Sequence, residues 1–170
     1  MIDEETTATP RPVARSAGAG NSRRYALGNL VSFLLEGEDT GGRFMLMELI
    51  ERKGKAQPRH VHHREDEILF VLEGEITVEV EDEVIYAPAG TLTFLPRGTE
   101  HGFAAELEQA KLLVMALPAG LEGYFEEISR PDGSVEIFSE PEVVPGSEKL
   151  ASIAMKYGIE ITGPPVQPGR

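Results

Sequence analysis

Residues 60–103 read HVHHREDEILFVLEGEITVEVEDEVIYAPAGTLTFLPRGTEHGF. At the centre, ITVEVE (76–81) alternates strictly: Ile76, Val78 and Val80 against Thr77, Glu79 and Glu81. Side chains on a strand point to alternate faces, so this pattern predicts a strand with one wet face. EILFVLE (67–73) does not alternate; it is apolar on both sides and needs cover on both. EVIYA (83–87), TLTFL (91–95) and HGFAA (101–105) are further short runs, divided by the turn residues PAG (88–90) and PRG (96–98).

Working outward, LVSFLLE (30–36), RFMLMELIE (43–51) and KLLVMAL (111–117) continue the series, with GEDTGG (37–42) as another turn. Strand-length runs with frequent turns and no helical pattern between them predict an all-β fold, an antiparallel β-sandwich or small barrel rather than a βαβ fold. After Leu117 the period changes. Leu121, Phe125 and Ile128 fit one face of a short helix. Ser147 is read as the cap of a second, carrying Leu150, Ile153, Ala154 and Tyr157 and ended by Gly158. The expected division is a flexible tail over 1–22, the β domain over 23–117, a helical extension with a loop over 118–160, and a tail over 161–170. The first tail is also read as an arm reaching a partner subunit. The loop 130–146 is given one short strand.

The net charge of −13 argues against nucleic acid and anionic membranes as partners. Cysteine is absent, so disulfides, thiolate nucleophiles and zinc–cysteine sites are excluded. The start, MIDEETTATP, lacks a secretory pattern, and no apolar run approaches the ~18 residues of a membrane span. The expected location is cytoplasmic.

Three of the four histidines sit at 60–63. On an extended chain, His60 and His62 aim at one point. Glu67 follows where the chain can turn back, and His101 opens another strand. Imidazole with carboxylate suits divalent iron, nickel, manganese, cobalt or zinc. Taken alone, the histidine pair also reads as solvated surface. His63 is expected to point away. Glu65 and Asp66 are expected to be solvated, or to replace Glu67 as ligand if the register shifts.

The spacing resembles the cupin family. Its first motif is present as Gly54, His60, His62, Glu67 and Gly74. Its second is present as Gly90, Pro96, Gly98 and His101, with Ala105 where the family usually has Asn. The resemblance implies a cupin, jelly-roll-type fold with short C-terminal helices. It makes His60, His62, Glu67 and His101 the ligands of one divalent transition metal per chain. YALGNLVSFLLEGEDTGGRF (25–44), HVHHREDEILFVLEGE (60–75), FLPRGTEHGF (94–103) and LPAGLEGYFEEIS (117–129) are similar to quercetin 2,3-dioxygenase-like single-domain cupins. That implies a dioxygenase using O₂ on a small aromatic or enolic, flavonol-like substrate, with Glu67 as ligand and catalytic base. A non-redox isomerase or cyclase, or a metal-dependent binding protein without turnover, is the alternative.

If Glu67 faces inward, so do Leu69 and Val71; if His101 does, so does Phe103. Met45 and Met47 share one strand face. These five are the expected substrate-pocket residues, with plain core as the other reading. The strands apolar on both faces also lead to the expectation of a homodimer, with the C-terminal helices as the rival cover.

Overall fold

The computed structural model describes residues 9–17, 23–131 and 146–169. Its strands are β1 (Arg23–Ala26), β2 (Asn29–Leu35), β3 (Met45–Arg52), β4 (Pro58–His62), β5 (Asp66–Glu73), β6 (Glu75–Val80), β7 (Glu83–Pro88), β8 (Leu92–Leu95), β9 (Glu100–Ala105), β10 (Gln109–Leu117), β11 (Arg130–Pro131) and β12 (Ile159–Pro165). Three helices accompany them: α1 (Gly37–Thr40), α2 (Leu121–Ile128) and α3 (Ser147–Lys156). All eight strand runs expected from alternation and turn residues are present.

The strands form two antiparallel sheets. One runs β11-β1-β2-β3-β10-β5-β8 and the other β12-β4-β9-β6-β7. Among the described residues the two sheets share no strand. The architecture is therefore an all-β sandwich, and the small closed barrel also considered is not formed. Between the sheets lie the inward residues of both, including Met47, Leu49, Leu69, Val71, Ile76, Val78, Leu112 and Val114, all buried. Each such side chain contributes about 1.5–3 kcal/mol by leaving water. Gly74 joins β5 to β6 at φ 81°, where a Cβ would stand 2.8 Å from the Gln109 carbonyl oxygen. Both the left-handed backbone and the close approach require glycine there.

The chain departs from expectation at three places. The tail expected over 161–170 is not one as far as Gly169. Ile159–Pro165 pairs with β4, Ile161 opposite His60 and Ile159 opposite His62, and Val166 is buried beyond it. Gly163, Pro164 and Pro165 disguise this strand, but β12 is a sheet edge, where proline costs no ladder bond. Second, Ser147 is the first helical residue of α3 and Gly146 its N-cap, with no side-chain cap. Third, GEDT, read as turn, makes the single helical turn α1, closed by a capping box between Glu36 and Asp39. Of the loop 130–146, expected to hold one short strand, Arg130–Pro131 pairs with β1 as such a strand; residues 132–145 lie outside the described residues, as does most of the N-terminal segment. Within 9–17, Arg15 binds Asp39 of its own chain at 2.5 and 3.1 Å.

Among the described residues the helices leave the outer face of β8 open. They pack on β1, β12 and each other. Leu92 and Phe94 on β8 remain 59% and 55% exposed. No helix among the described residues is long and apolar enough to cross a membrane.

Candidate metal centre

Strand β4 carries His60 and His62 on one face because residues two apart on a strand point the same way. Its neighbour β9 places His101 directly opposite His60. Glu67 enters from the other sheet, on β5, level with Leu95 and Ala116. Three imidazoles from one sheet thus face one carboxylate from the other across the sandwich. All four residues are buried, and one ligand atom from each lies within 4.8 Å of the others. The ring centroids are 4.7 Å apart for His60 and His101, 4.9 Å for His60 and His62, and 5.4 Å for His62 and His101.

Nitrogen orientation follows from what lies behind each ring. His60 Nδ1 sits 2.7 Å from the Pro58 carbonyl oxygen, and His101 Nδ1 sits 2.9 Å from that of Thr99. A carbonyl only accepts, so each Nδ1 carries the proton it donates and each Nε2 is left for the centre. His101 Nε2 lies 3.0 Å and His62 Nε2 3.9 Å from Glu67 Oε2.

The electrostatics agree with this arrangement. Burial, with the neighbouring His62 and His101, lowers the His60 imidazole to about 3, so it is neutral at physiological pH. Burial acts to raise the Glu67 carboxyl. The hydrogen bond from His101 and the surrounding imidazoles outweigh it and hold Glu67 at about 2. Burial acts to lower His101, but its bond to Glu67 wins and raises it. A neutral His60, an ionised Glu67 and a His101 that gives up the proton it holds toward Glu67 make a donor set that a divalent cation matches.

Beside the cluster is a narrow cavity walled by Met47, Leu49, Phe103 and Val114 and roofed by Leu121, Tyr124 and Phe125 of α2. The space open to the centre of a water molecule is about 20 Å³, room for one or two waters. Of the five pocket residues expected from sequence, Met47 and Phe103 line it. Met45, Leu69 and Val71 do not; they are packed in the core, because the helix roof and β12 close the space on the β4–β9 side. The roof was not foreseen. Leu121 and Phe125 were legible as a helix face, but not what that face covers. Burial pushes the Tyr124 hydroxyl up to about 12.

The residues around Glu67 divide clearly. His63 points out and meets Glu160 at 2.8 Å, as expected of a surface residue. Asp66 binds Arg97 through both carboxylate oxygens. Glu65, expected to be solvated, is buried at 3% exposure behind His62. The cause is the tight turn between β4 and β5, which folds the residue under the ring.

Comparison with known proteins agrees with this geometry. Residues 46–116 match the model for the cupin domain. An RmlC-like cupin from Shewanella frigidimarina NCIMB 400 shares the fold, with a TM-score of 0.56 at 21% identity, over 68% of this chain and 99% of that one. Residues 46–116 of this chain are a cupin domain. It is 26% identical to quercetin 2,3-dioxygenase of Bacillus subtilis (strain 168) over 66% of its own length and 34% of that protein. It is 35% identical to acireductone dioxygenase of Sulfurihydrogenibium sp. (strain YO3AOP1) over 41% of its length and 42% of that protein. The chain therefore spans 34% and 42% of the two curated relatives it matches.

Proposed function

We propose that this cupin is a metal-dependent dioxygenase acting with O₂ on a small enolic or aromatic substrate, and that it works as a homodimer. The observation that carries the reading is the convergence of three histidines and one glutamate on a buried point beside an apolar cavity. His60, His62, Glu67 and His101 would hold one divalent ion, iron, nickel, manganese, cobalt or zinc. Three histidines and a carboxylate leave a coordination position for substrate on a five- or six-coordinate ion. Such an ion supplies Lewis acidity, making an enol or phenol oxygen acidic and electron-rich toward O₂.

The chain's own residues do the rest. Glu67, ionised at neutral pH, is in the state needed to accept the substrate proton. The wall of Met47, Leu49, Phe103 and Val114 excludes water and favours an apolar body. A space with room for one or two waters must widen, by a shift of α2, for any such substrate to enter, and by more for a flavonol than for a small enol. The two dioxygenases among the relatives support the reaction class.

The test is oxygen uptake by protein loaded separately with each of the five metals, offered quercetin, a β-dicarbonyl and a small enediol. Expected is uptake matched to loss of the small enol with a redox-capable metal. Activity with zinc alone, or metal binding without uptake for any of the three, would overturn the dioxygenase reading.

A further inference from the structure

We propose that Glu65 is a positioning residue for the metal centre: its carboxylate backs His62 as the Pro58 and Thr99 carbonyls back His60 and His101. This rests on the metal-centre reading above. Two of the three rings have Nδ1 tied to a backbone oxygen at 2.7 and 2.9 Å. The third, His62, has no carbonyl behind it. Its Nδ1 instead faces Glu65 Oε2 at 3.5 Å. Both atoms are buried, and neither has another hydrogen-bond partner. A buried donor and a buried acceptor, each otherwise orphaned and facing one another, complete each other when the ring moves by a few tenths of an ångström.

The chemistry differs from that of the other two rings. A carboxylate accepting from Nδ1–H fixes the tautomer that leaves Nε2 to the metal. Unlike a carbonyl, it also adds negative charge and strengthens the ring as a donor. With Glu67, the site then carries two carboxylates, which balance a divalent cation in a buried place. His62 is the ligand placed to bind most strongly, and the REDE run at 64–67 serves two ends. Glu65 acts through His62, Glu67 acts at the centre, and Asp66 between them turns outward to Arg97.

The test is competitive titration with zinc against a chelator of known affinity, on the full chain. The variants are Glu65→Ala, Glu65→Gln, Asp66→Asn and His62→Ala, together with the double variant lacking both Glu65 and His62. Removing an outer partner of a metal-binding histidine typically weakens binding ~10–100-fold. Glu65→Ala is expected in that range. Glu65→Gln keeps an acceptor oxygen and is expected to recover part of the loss. Asp66→Asn removes the same charge on the outward side and is expected to bind zinc like the parent. In the His62→Ala background, Glu65→Ala is expected to add no further loss, whereas a merely structural or long-range charge role would add its full loss. A second readout is the His62 ring itself: long-range nitrogen–proton NMR of the zinc-loaded parent should show the proton on Nδ1. Parent-like zinc affinity in Glu65→Ala, or an equal loss with and without His62, overturns this inference alone. If unaltered protein binds no zinc, nickel or iron, the metal-centre reading fails and takes this inference with it.

Discussion

Replacing Glu51 by Met should stabilise this protein, increasingly so as pH rises. Glu51 lies on β3, on the inward face shared by Met45, Met47 and Leu49, opposite Ala110. It is 0% exposed, and neither carboxylate oxygen has a hydrogen-bond partner. Six residues along β10 separate the Ala110 level from the Ala116 level of Glu67, about 20 Å at ~3.3 Å per residue, so the change leaves the metal centre alone. An unpartnered buried polar group costs about 1–3 kcal/mol even when neutral. Ionising it costs more, which is why burial raises this carboxyl well above 4.5. The sign follows from proton counting. Above pH 4.5 the unfolded chain loses the Glu51 proton while the folded chain keeps it, so stability falls as pH rises until the raised folded value is reached. At about 1.4 kcal/mol per pH unit, the loss between pH 5 and 7 is up to about 2–3 kcal/mol. Urea unfolding of chelator-treated parent and Glu51→Met protein at pH 5, 6 and 7 measures it. Expected is a variant more stable by about 1–3 kcal/mol at pH 5, with a gap that widens toward pH 7. A variant less stable than the parent at pH 7, or a gap that does not change with pH, would refute the reasoning.

Three other outcomes follow from the same structure. Metal affinity should fall with acid by about tenfold per pH unit for each proton displaced. His101, whose pKa is raised, supplies one such proton, while His60 supplies none above about pH 3; calorimetric titration in two buffers of different ionisation heat counts the protons released. Glu67→Gln, which keeps a ligating oxygen but accepts no proton, should lower turnover ~10²–10⁴-fold while retaining more metal than His101→Ala; full activity with full metal would remove the base role. The parent should sediment at twice the 18.5 kDa chain mass, and Phe94→Glu with Leu92→Glu, on the apolar outer face of β8, should shift it to monomer; a parent that is already monomeric at micromolar concentration refutes the dimer.

Most of the sandwich was legible because its strands write their burial into the sequence. Ile76, Val78 and Val80 face the core against outward Glu79, though Thr77, read on the same wet face, is buried against Glu106; turn residues mark where each run stops. Strand β4 was not legible in that way. PRHVH carries one aliphatic residue, and its inward positions are the two histidines, so it showed only through metal-ligand spacing. Strand β12 was hidden by Gly163 and two prolines, which are tolerated because the strand is an edge. The four clustered residues were legible because side-chain period and motif spacing are local properties. The cavity was not, because which surface α2 covers depends on contacts between residues far apart in the chain. Glu65 was missed for a related reason: charge in a run predicts solvent, and only the tertiary turn places this one carboxylate behind an imidazole.

The most direct test of the metal centre is metal content per chain after loading and exhaustive desalting, measured for the parent beside His60→Ala, His62→Ala and His101→Ala. Expected is one ion per parent chain and a large loss in all three variants, with their folds intact by circular dichroism. A parent that retains no ion, or variants that retain as much as the parent, would contradict a centre built by His60, His62, Glu67 and His101.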